Sequence, residues 1–231
     1  MRYIAIYIIT AVFFSSCITT IEVPHTSKNP YPQTIEEIKA LNSKIEKAYY
    51  SLLGTFFSQN QVDSSVLTLS DAQVLRSVPI WSNQNQSYWF CMALYTMSNP
   101  QEPIFSGVFQ LQEYITDTLK LNYYTLPKSA HIDEIWTNDN FLSDYSLSDL
   151  IPKKDCSSLL VYQGNDIFKM VNDSIPCSHT ISSSSIRYLD MNISLSPSKQ
   201  VHTNIYYDKN KKTSISYPQI SYNRERKLGR D

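Results

Sequence analysis

Four histidines, four cysteines and a scatter of carboxylates are the side chains of this chain best suited to chemistry. His25, His131, His179 and His202 stand far apart. No two sit at i, i+2 or i, i+4, the spacings that bring two imidazoles to one face of a strand or helix. No cysteine joins them in a cluster with ligand spacing, so the sequence argues against a metal centre. There is no G-x-S-x-G, P-loop or G-x-G-x-x-G, and four glycines could hardly supply them. Asp133, Glu134, Asp139, Asp144 and Asp149 could pair for acid–base work; a solvated loop face is the plainer account. Arg76 alternates with Val74, Val78 and Ile80, while Leu75, Ser77, Pro79 and Trp81 take the opposite face. If the first face points inward, Arg76 is a partner for a ligand carboxylate; otherwise it is a strand arginine in solvent. Cys156 and Cys177 bracket a strand–turn–strand pattern, and from the pair alone a metal site, a redox switch and a structural staple are all open.

The compartment narrows that choice. Arg2 precedes the apolar run Tyr3–Phe14, which is too short to span ~30 Å of hydrocarbon as a helix and has the length of a signal-peptide core. Phe14-Ser15-Ser16-Cys17 resembles a bacterial lipobox, in which the cysteine is acylated; Phe14 stands where leucine is usual. The alternative is an ordinary signal peptide cut near Ser16. The expectation is a cell-envelope lipoprotein, periplasmic or surface-facing, anchored to a membrane through Cys17 and working in an oxidising compartment. Residues 1–16 are then the signal peptide, 17–33 a proline-bearing tether, 34–222 the folded domain and 223–231 a polar tail. A net charge of −1 gives no electrostatic argument for nucleic acid.

The elements that must position any site read as mostly β. Seventeen tyrosines and nine phenylalanines favour strands. Thr34 and Glu37 form a capping box, and Ile35, Ile38, Leu41, Ile45, Tyr49 and Leu52 recur at three and four. This predicts one N-terminal amphipathic helix, stopped near Gly54, whose apolar stripe covers a sheet or barrel. Strands are predicted at 66–69, 72–81, 87–95, 104–115, 119–125, 158–163, 166–171, 185–195, 201–207 and 213–217, with turn signals between many of them. Eight to ten antiparallel strands at such spacing suggest a barrel or sandwich. Residues 131–150 predict a short helix and loops across one end.

Seven segments, in order, resemble the CpcT/CpeT family of chromophore lyases, which attach linear tetrapyrroles to phycobiliproteins. They are LLGTFFSQNQ (52–61), VPIW (78–81), YWFCMAL (88–94), PIFSGVFQL (103–111), YTLP (124–127), the stretch from Lys154-Asp155-Cys156 to Pro176-Cys177, and SIRYLDMNISL (185–195). The resemblance implies a calycin- or lipocalin-like antiparallel β-barrel with an open mouth, needing no cofactor of its own and carrying a bilin or other small ligand. It also departs from the family. The acid–amide pair falls on Met92 and Ala93, the two arginines on Phe105 and Gly107, and the following tyrosine on Phe109. A bilin carries two propionates, for which arginine is the suited partner. Their loss leaves a neutral interior that has either changed ligand or closed into core.

Two functions follow as expectations. In one, an envelope lipoprotein binds a small hydrophobic or tetrapyrrole-like ligand among Trp81, Tyr88, Phe90, Met92, Phe105 and Tyr124, with Arg76 as polar anchor and lyase chemistry weakened. In the other, a non-catalytic lipoprotein uses the barrel as a scaffold. A hairpin turn at Asn165-Asp166 puts 156 opposite 175, so a bulge or longer loop would let Cys156 meet Cys177. The oxidising compartment and the place of this segment in the family-like series make a disulfide the preferred reading. It would close a loop with a stabilisation on the order of 3 kcal/mol in the chain-entropy model. Cys91, mid-strand, reads as a small buried hydrophobe.

Overall fold

The structure is a computed structural model that describes residues 32, 34–58, 72–81, 88–99, 102–127, 142, 144–172, 177–178, 188–208, 210, 213–216 and 219–225. At 155, 172, 177–178, 188–191, 204–207 and 213–216 the description is of backbone only. Cys17 and the signal segment, the predicted strand 66–69, three of the histidines (His25, His131, His179), the acids Asp133, Glu134 and Asp139, and the Cys177 side chain lie outside it.

The predicted capping box is present. The Thr34 hydroxyl accepts from the Glu37 amide at 3.1 Å, and the Glu37 carboxylate accepts from the Thr34 amide at 3.0 Å. The single predicted helix is instead two, α1 (Ile35–Ala40) and α2 (Lys44–Leu52). Leu41 turns extended, and the Ser43 hydroxyl caps α2 by accepting from Glu46 N at 3.4 Å. Asn and Ser compete with helical backbone bonds and favour caps, so Asn42-Ser43 breaks the backbone while the apolar stripe continues across the break.

Thirteen strands follow among the described residues: β1 (Gly54–Phe57), β2 (Gln73–Pro79), β3 (Tyr88–Thr96), β4 (Phe105–Ile115), β5 (Thr118–Thr125), β6 (Ile151–Pro152), β7 (Ser158–Gly164), β8 (Ile167–Asn172), β9 (Cys177–Ser178), β10 (Tyr188–Ser196), β11 (Lys199–Tyr207), β12 (Thr213–Ser216) and β13 (Ile220–Arg224). Ten of them close a calycin-like antiparallel barrel in the order β1-β2-β3-β4-β5-β7-β8-β10-β11-β13 and back to β1. β6, β9 and β12 add short pairings to β5, β10 and β11. Asp117, Asn165 and Asp166 take positive φ at the predicted turns, the conformation that short hairpin connections demand. Among the ten barrel strands, β1 and β13 are the two that the sequence pattern did not announce; the short β6 and β9 were not announced either. β1 starts at Gly54, where a helix stop was expected, and β13 carries the barrel to Arg224, past the predicted end at 222.

The β7–β8 hairpin corrects the expected cysteine register. A bulge between Tyr162 and Gly164 shifts the ladder, so Ser158 faces Asn172 and the hairpin ends there. Cys156 ends a 3-10 turn, Lys154–Cys156, before β7 begins. Cys177 leaves the hairpin altogether and pairs with Leu189 of β10. The 3-10 turn and β9 nonetheless lie against each other.

Inside the barrel, Phe56, Leu75, Phe90, Met92, Phe109, Leu111, Leu121, Leu160, Phe168, Leu195 and Tyr222 form one buried core with Ile45, Ala48, Tyr49 and Leu52 of α2. The helix therefore plugs one end. Lys44 pairs with Asp117 and Lys47 with Asp166 at 2.6 Å, which ties α2 to the β4–β5 and β7–β8 turns. Arg224 fixes its C-terminus: the guanidinium donates to the carbonyls of Leu53 at 2.6 Å, Tyr50 at 2.8 Å and Ser51 at 3.2 Å, and to Pro197 of the β10–β11 turn at 2.6 Å. Burial pulls its pKa down to about 10. Gly54, at φ 121°, lets this side chain approach, because a Cβ there would meet Nη1. Deeper in, Gln200 donates to Ser51 and Leu52 carbonyls, both at 3.3 Å, and His202 lies 3.1 Å from Gln200 Oε1. A second apolar layer covers the outer face of β2–β5, where Val78, Ile80, Trp89, Cys91, Ala93 and Tyr95 pack under Leu142 and Leu150.

Arg224→Ala leaves those carbonyls without their charged donor and should cost about 2–4 kcal/mol in chemical denaturation. Arg224→Lys should recover only part, since one ammonium cannot replace a fork. His202 gives a pH signature. Burial pulls its pKa down to about 3, so between about pH 6.5 and that value the unfolded chain binds a proton that the folded chain refuses. Stability should therefore fall as pH drops below 6.5, with a slope on the order of 1 kcal/mol per pH unit. The slope between pH 6.5 and 5 should flatten in His202→Gln; an unchanged slope would contradict the assignment.

Candidate functional site

The interior positions at which the resemblance set an expected pocket lie on three neighbouring strands. Met92 pairs with Gly107, and Phe90 with Phe109, which pairs in turn with Tyr123. Paired residues share a face of the sheet, and this face points inward. The Phe90 and Phe109 rings stack at 5.3 Å and 13°. Tyr123 lies 5.1 Å from Phe109 and 5.8 Å from Phe105, and Tyr49 of α2 comes within 6.1 Å of Phe90. The aromatic cluster rests on one small residue. A Cβ at Gly107 would run into Cε2, Cδ2 and Cζ of Tyr123. The ring thus lies where a longer residue at 107 would project. Its hydroxyl donates to Ser106 O at 3.3 Å, and burial pushes its pKa up to about 12.

Of the predicted ligand-lining residues, Tyr88, Phe90, Met92 and Phe105 come together inside the barrel. Phe90 and Met92 are buried, Tyr88 packs 5.0 Å from Tyr49 at the helix end, and Phe105 is half-buried towards the opposite mouth. Trp81 and Tyr124 do not join them. Both lie in the outer layer around Trp89, at 5.7 Å and 5.1 Å. Arg76 is also on the outside: it pairs with Thr55 and Ala93, and its Nη1 donates to the Thr55 hydroxyl at 2.9 Å. The face containing Val74, Val78 and Ile80 is buried by the covering layer, not by the barrel interior. Both faces of β2 are apolar, so alternation could not tell which one was inside. Cys91 belongs to that outer layer, fully buried, and burial pushes its thiol pKa up.

Away from α2, the described rim on the β3–β4 side carries apolar surface beside the exposed polar residues Ser98, Asn99 and Glu102. Leu94 and Phe105 are half-buried, and Met97 and Ile104 are 41% and 45% exposed. On the outer wall, described residues form a groove of about 730 Å³ along β4 and β5, floored by Gln110, Gln112 and Asn122. The sequence reading did not single it out. Its signal was the amide side chains at alternate positions of otherwise apolar strands. Among the described residues no group of three His, Cys, Asp or Glu could hold a metal ion.

No protein-family model matches the chain, and no curated protein matches it. Among solved structures it is similar to the CRL protein of Arabidopsis, with a TM-score of 0.60 at 11% identity over 78% of this chain and 97% of that one. It is also similar to the T-type phycobiliprotein lyase CpeT from Prochlorococcus phage P-HM1, with a TM-score of 0.47 at 12% identity over 80% and 99%. At such identities the likeness is one of fold.

Gly107→Ala should destabilise the barrel by about 1–3 kcal/mol, because the added methyl has to displace a packed ring. In a Tyr123→Leu background the same substitution should cost at least ~1 kcal/mol less, a coupling that a double-mutant denaturation cycle reads directly. Equal costs in both backgrounds would rule out the close approach.

Proposed function

We propose that this chain is a non-catalytic relative of the CpcT/CpeT chromophore-lyase barrels, held at the cell envelope by lipid on Cys17. In this reading it takes a small hydrophobic or tetrapyrrole-like ligand at its mouth and not deep in the barrel. One observation carries it: Met92, Phe105 and Gly107, where the resemblance sets the family's acid and its two arginines, are uncharged and lie side by side on β3 and β4, and the Tyr123 ring lies across Gly107. A propionate brought to that depth would lose its hydration with no cation to replace it. The rim formed by Leu94, Met97, Ile104 and Phe105 keeps apolar surface in solvent, which suits a flat hydrophobic ligand. A Cys156–Cys177 disulfide belongs to the same proposal, supported by the 3-10 turn lying against β9; the envelope compartment of this reading would keep it oxidised.

The scaffold reading draws on the same packed interior. If the rim meets a protein and not a small molecule, the barrel is a rigid platform and Met97 and Ile104 are its contact residues.

Biliverdin or haem titrated into the purified protein should give a saturable absorbance change that washes out under denaturing conditions. Phe105→Ala should weaken it about tenfold, equivalent to ~1.4 kcal/mol. No spectral change at high micromolar ligand leaves the scaffold reading, and a covalent adduct would contradict the non-catalytic one. Labelled palmitate should enter the wild type and be lost in Cys17→Ala; equal labelling would refute the anchor.

A further inference from the structure

The outer groove has a chemistry of its own. β4 and β5 present Gln110, Gln112, Asn122 and Tyr124 along its floor. These groups are already ordered by one another. Asn122 Nδ2 donates to Gln112 Oε1 at 3.0 Å and to Gln110 Oε1 at 3.4 Å. Ser157 donates to Asn122 Oδ1 at 3.2 Å, and the Tyr124 hydroxyl donates to Gln110 Oε1 at 3.2 Å. Gln110 is only 9% exposed, so the floor is fixed and not a set of solvent-swept side chains. A pre-ordered array of amides and hydroxyls costs little entropy when a ligand binds.

Charge is added at both ends. Lys153 and Lys154 line the groove near Pro152 and Tyr124, and Lys120 lines it beside Gln112 and Tyr114. None of the three lysines takes part in an ion pair among the described residues, and no carboxylate appears among the described lining residues. The register places the Lys153 amide on the Tyr123 carbonyl, so the two ends of the groove are about 10 Å apart along the strand at ~3.3 Å per residue.

These features select among anionic ligands. A peptide cannot add as a strand here, because β4 and β5 are each paired on both sides. A lipid would need an apolar slot, and apart from its tyrosines the groove offers only Leu159 and Pro152. A lone phosphate would use one end and leave the amide floor idle. An extended molecule with repeated hydroxyls and more than one negative charge uses all of it: hydroxyls on the amide array, sugar faces against Tyr124 and Tyr114, and carboxylates at the lysines. We propose that this groove, on the outer wall of the barrel and separate from its mouth, binds an acidic oligosaccharide.

The test is calorimetric titration of the full chain with tri-galacturonate, in parallel with maltotriose, inorganic phosphate and hexaglutamate. Tri-galacturonate should bind saturably, at least about tenfold more tightly than the other three, and more weakly as salt is raised. The Lys153→Gln/Lys154→Gln pair and Gln112→Ala should each weaken it about tenfold with unchanged melting temperature, while Lys39→Gln, on α1, should leave it as it was. No saturable binding at about 10 mM overturns the proposal, as does an equal loss in Lys39→Gln. Phosphate binding as tightly would reduce the site to an anion site, and hexaglutamate binding as tightly would reassign it to an acidic peptide; either overturns the saccharide.

Discussion

The close approach of the Tyr123 ring to the backbone at Gly107 is the contact on which the character of this barrel depends. A closed sheet of ten strands encloses a volume that must hold either side chains or a ligand. Here one missing Cβ lets a tyrosine from β5 fold over β4, and that ring brings Phe105, Phe109 and Phe90 into contact. The ring buries a polar tip as well, and its hydroxyl finds the Ser106 carbonyl, as a buried phenol must. The interior at that depth is core in consequence.

The helix end is built on a different principle. Apolar burial brings α2 to the barrel, but orientation comes from charge. Two lysines of α2 reach two hairpin turns, and one arginine from the last strand gathers the helix's terminal carbonyls. Those carbonyls lack partners within the helix, and a guanidinium with several donors in a fixed plane is suited to collect them. The plug therefore joins α2 to β13, the last described strand. At the other end Leu94 and Phe105 stay half-buried.

Much of this was legible in the sequence. Turn residues placed most strands within a few positions, the Thr34–Glu37 box opened the first helix as expected, and strand count and spacing suggested a barrel or a sandwich, between which the family resemblance chose the barrel. Three things were hidden for physical reasons. The break at Asn42-Ser43 leaves the apolar period untouched, so periodicity reads through it. The side occupied by Arg76 depends on the second apolar layer over β2–β5, and a strand buried on both faces has no alternation to read. The bulge after Tyr162 moves register by one residue, which no pairing rule foresees from a turn alone. The groove on β4 and β5 was written plainly as Gln110, Gln112 and Asn122, but a polar strand position looks the same whether it meets solvent or a ligand.

At the depth of Gly107 the barrel is filled by packed rings. Proton–proton NOEs between the Tyr123 ring and the Gly107 α-protons, recorded without ligand and with saturating biliverdin, test this packing most directly. Strong cross-peaks should appear in both spectra, with Phe105 and Phe109 ring protons as shared neighbours. Loss of the Tyr123–Gly107 cross-peaks on adding ligand would mean that the rings part to admit it, and the interior would be a pocket after all.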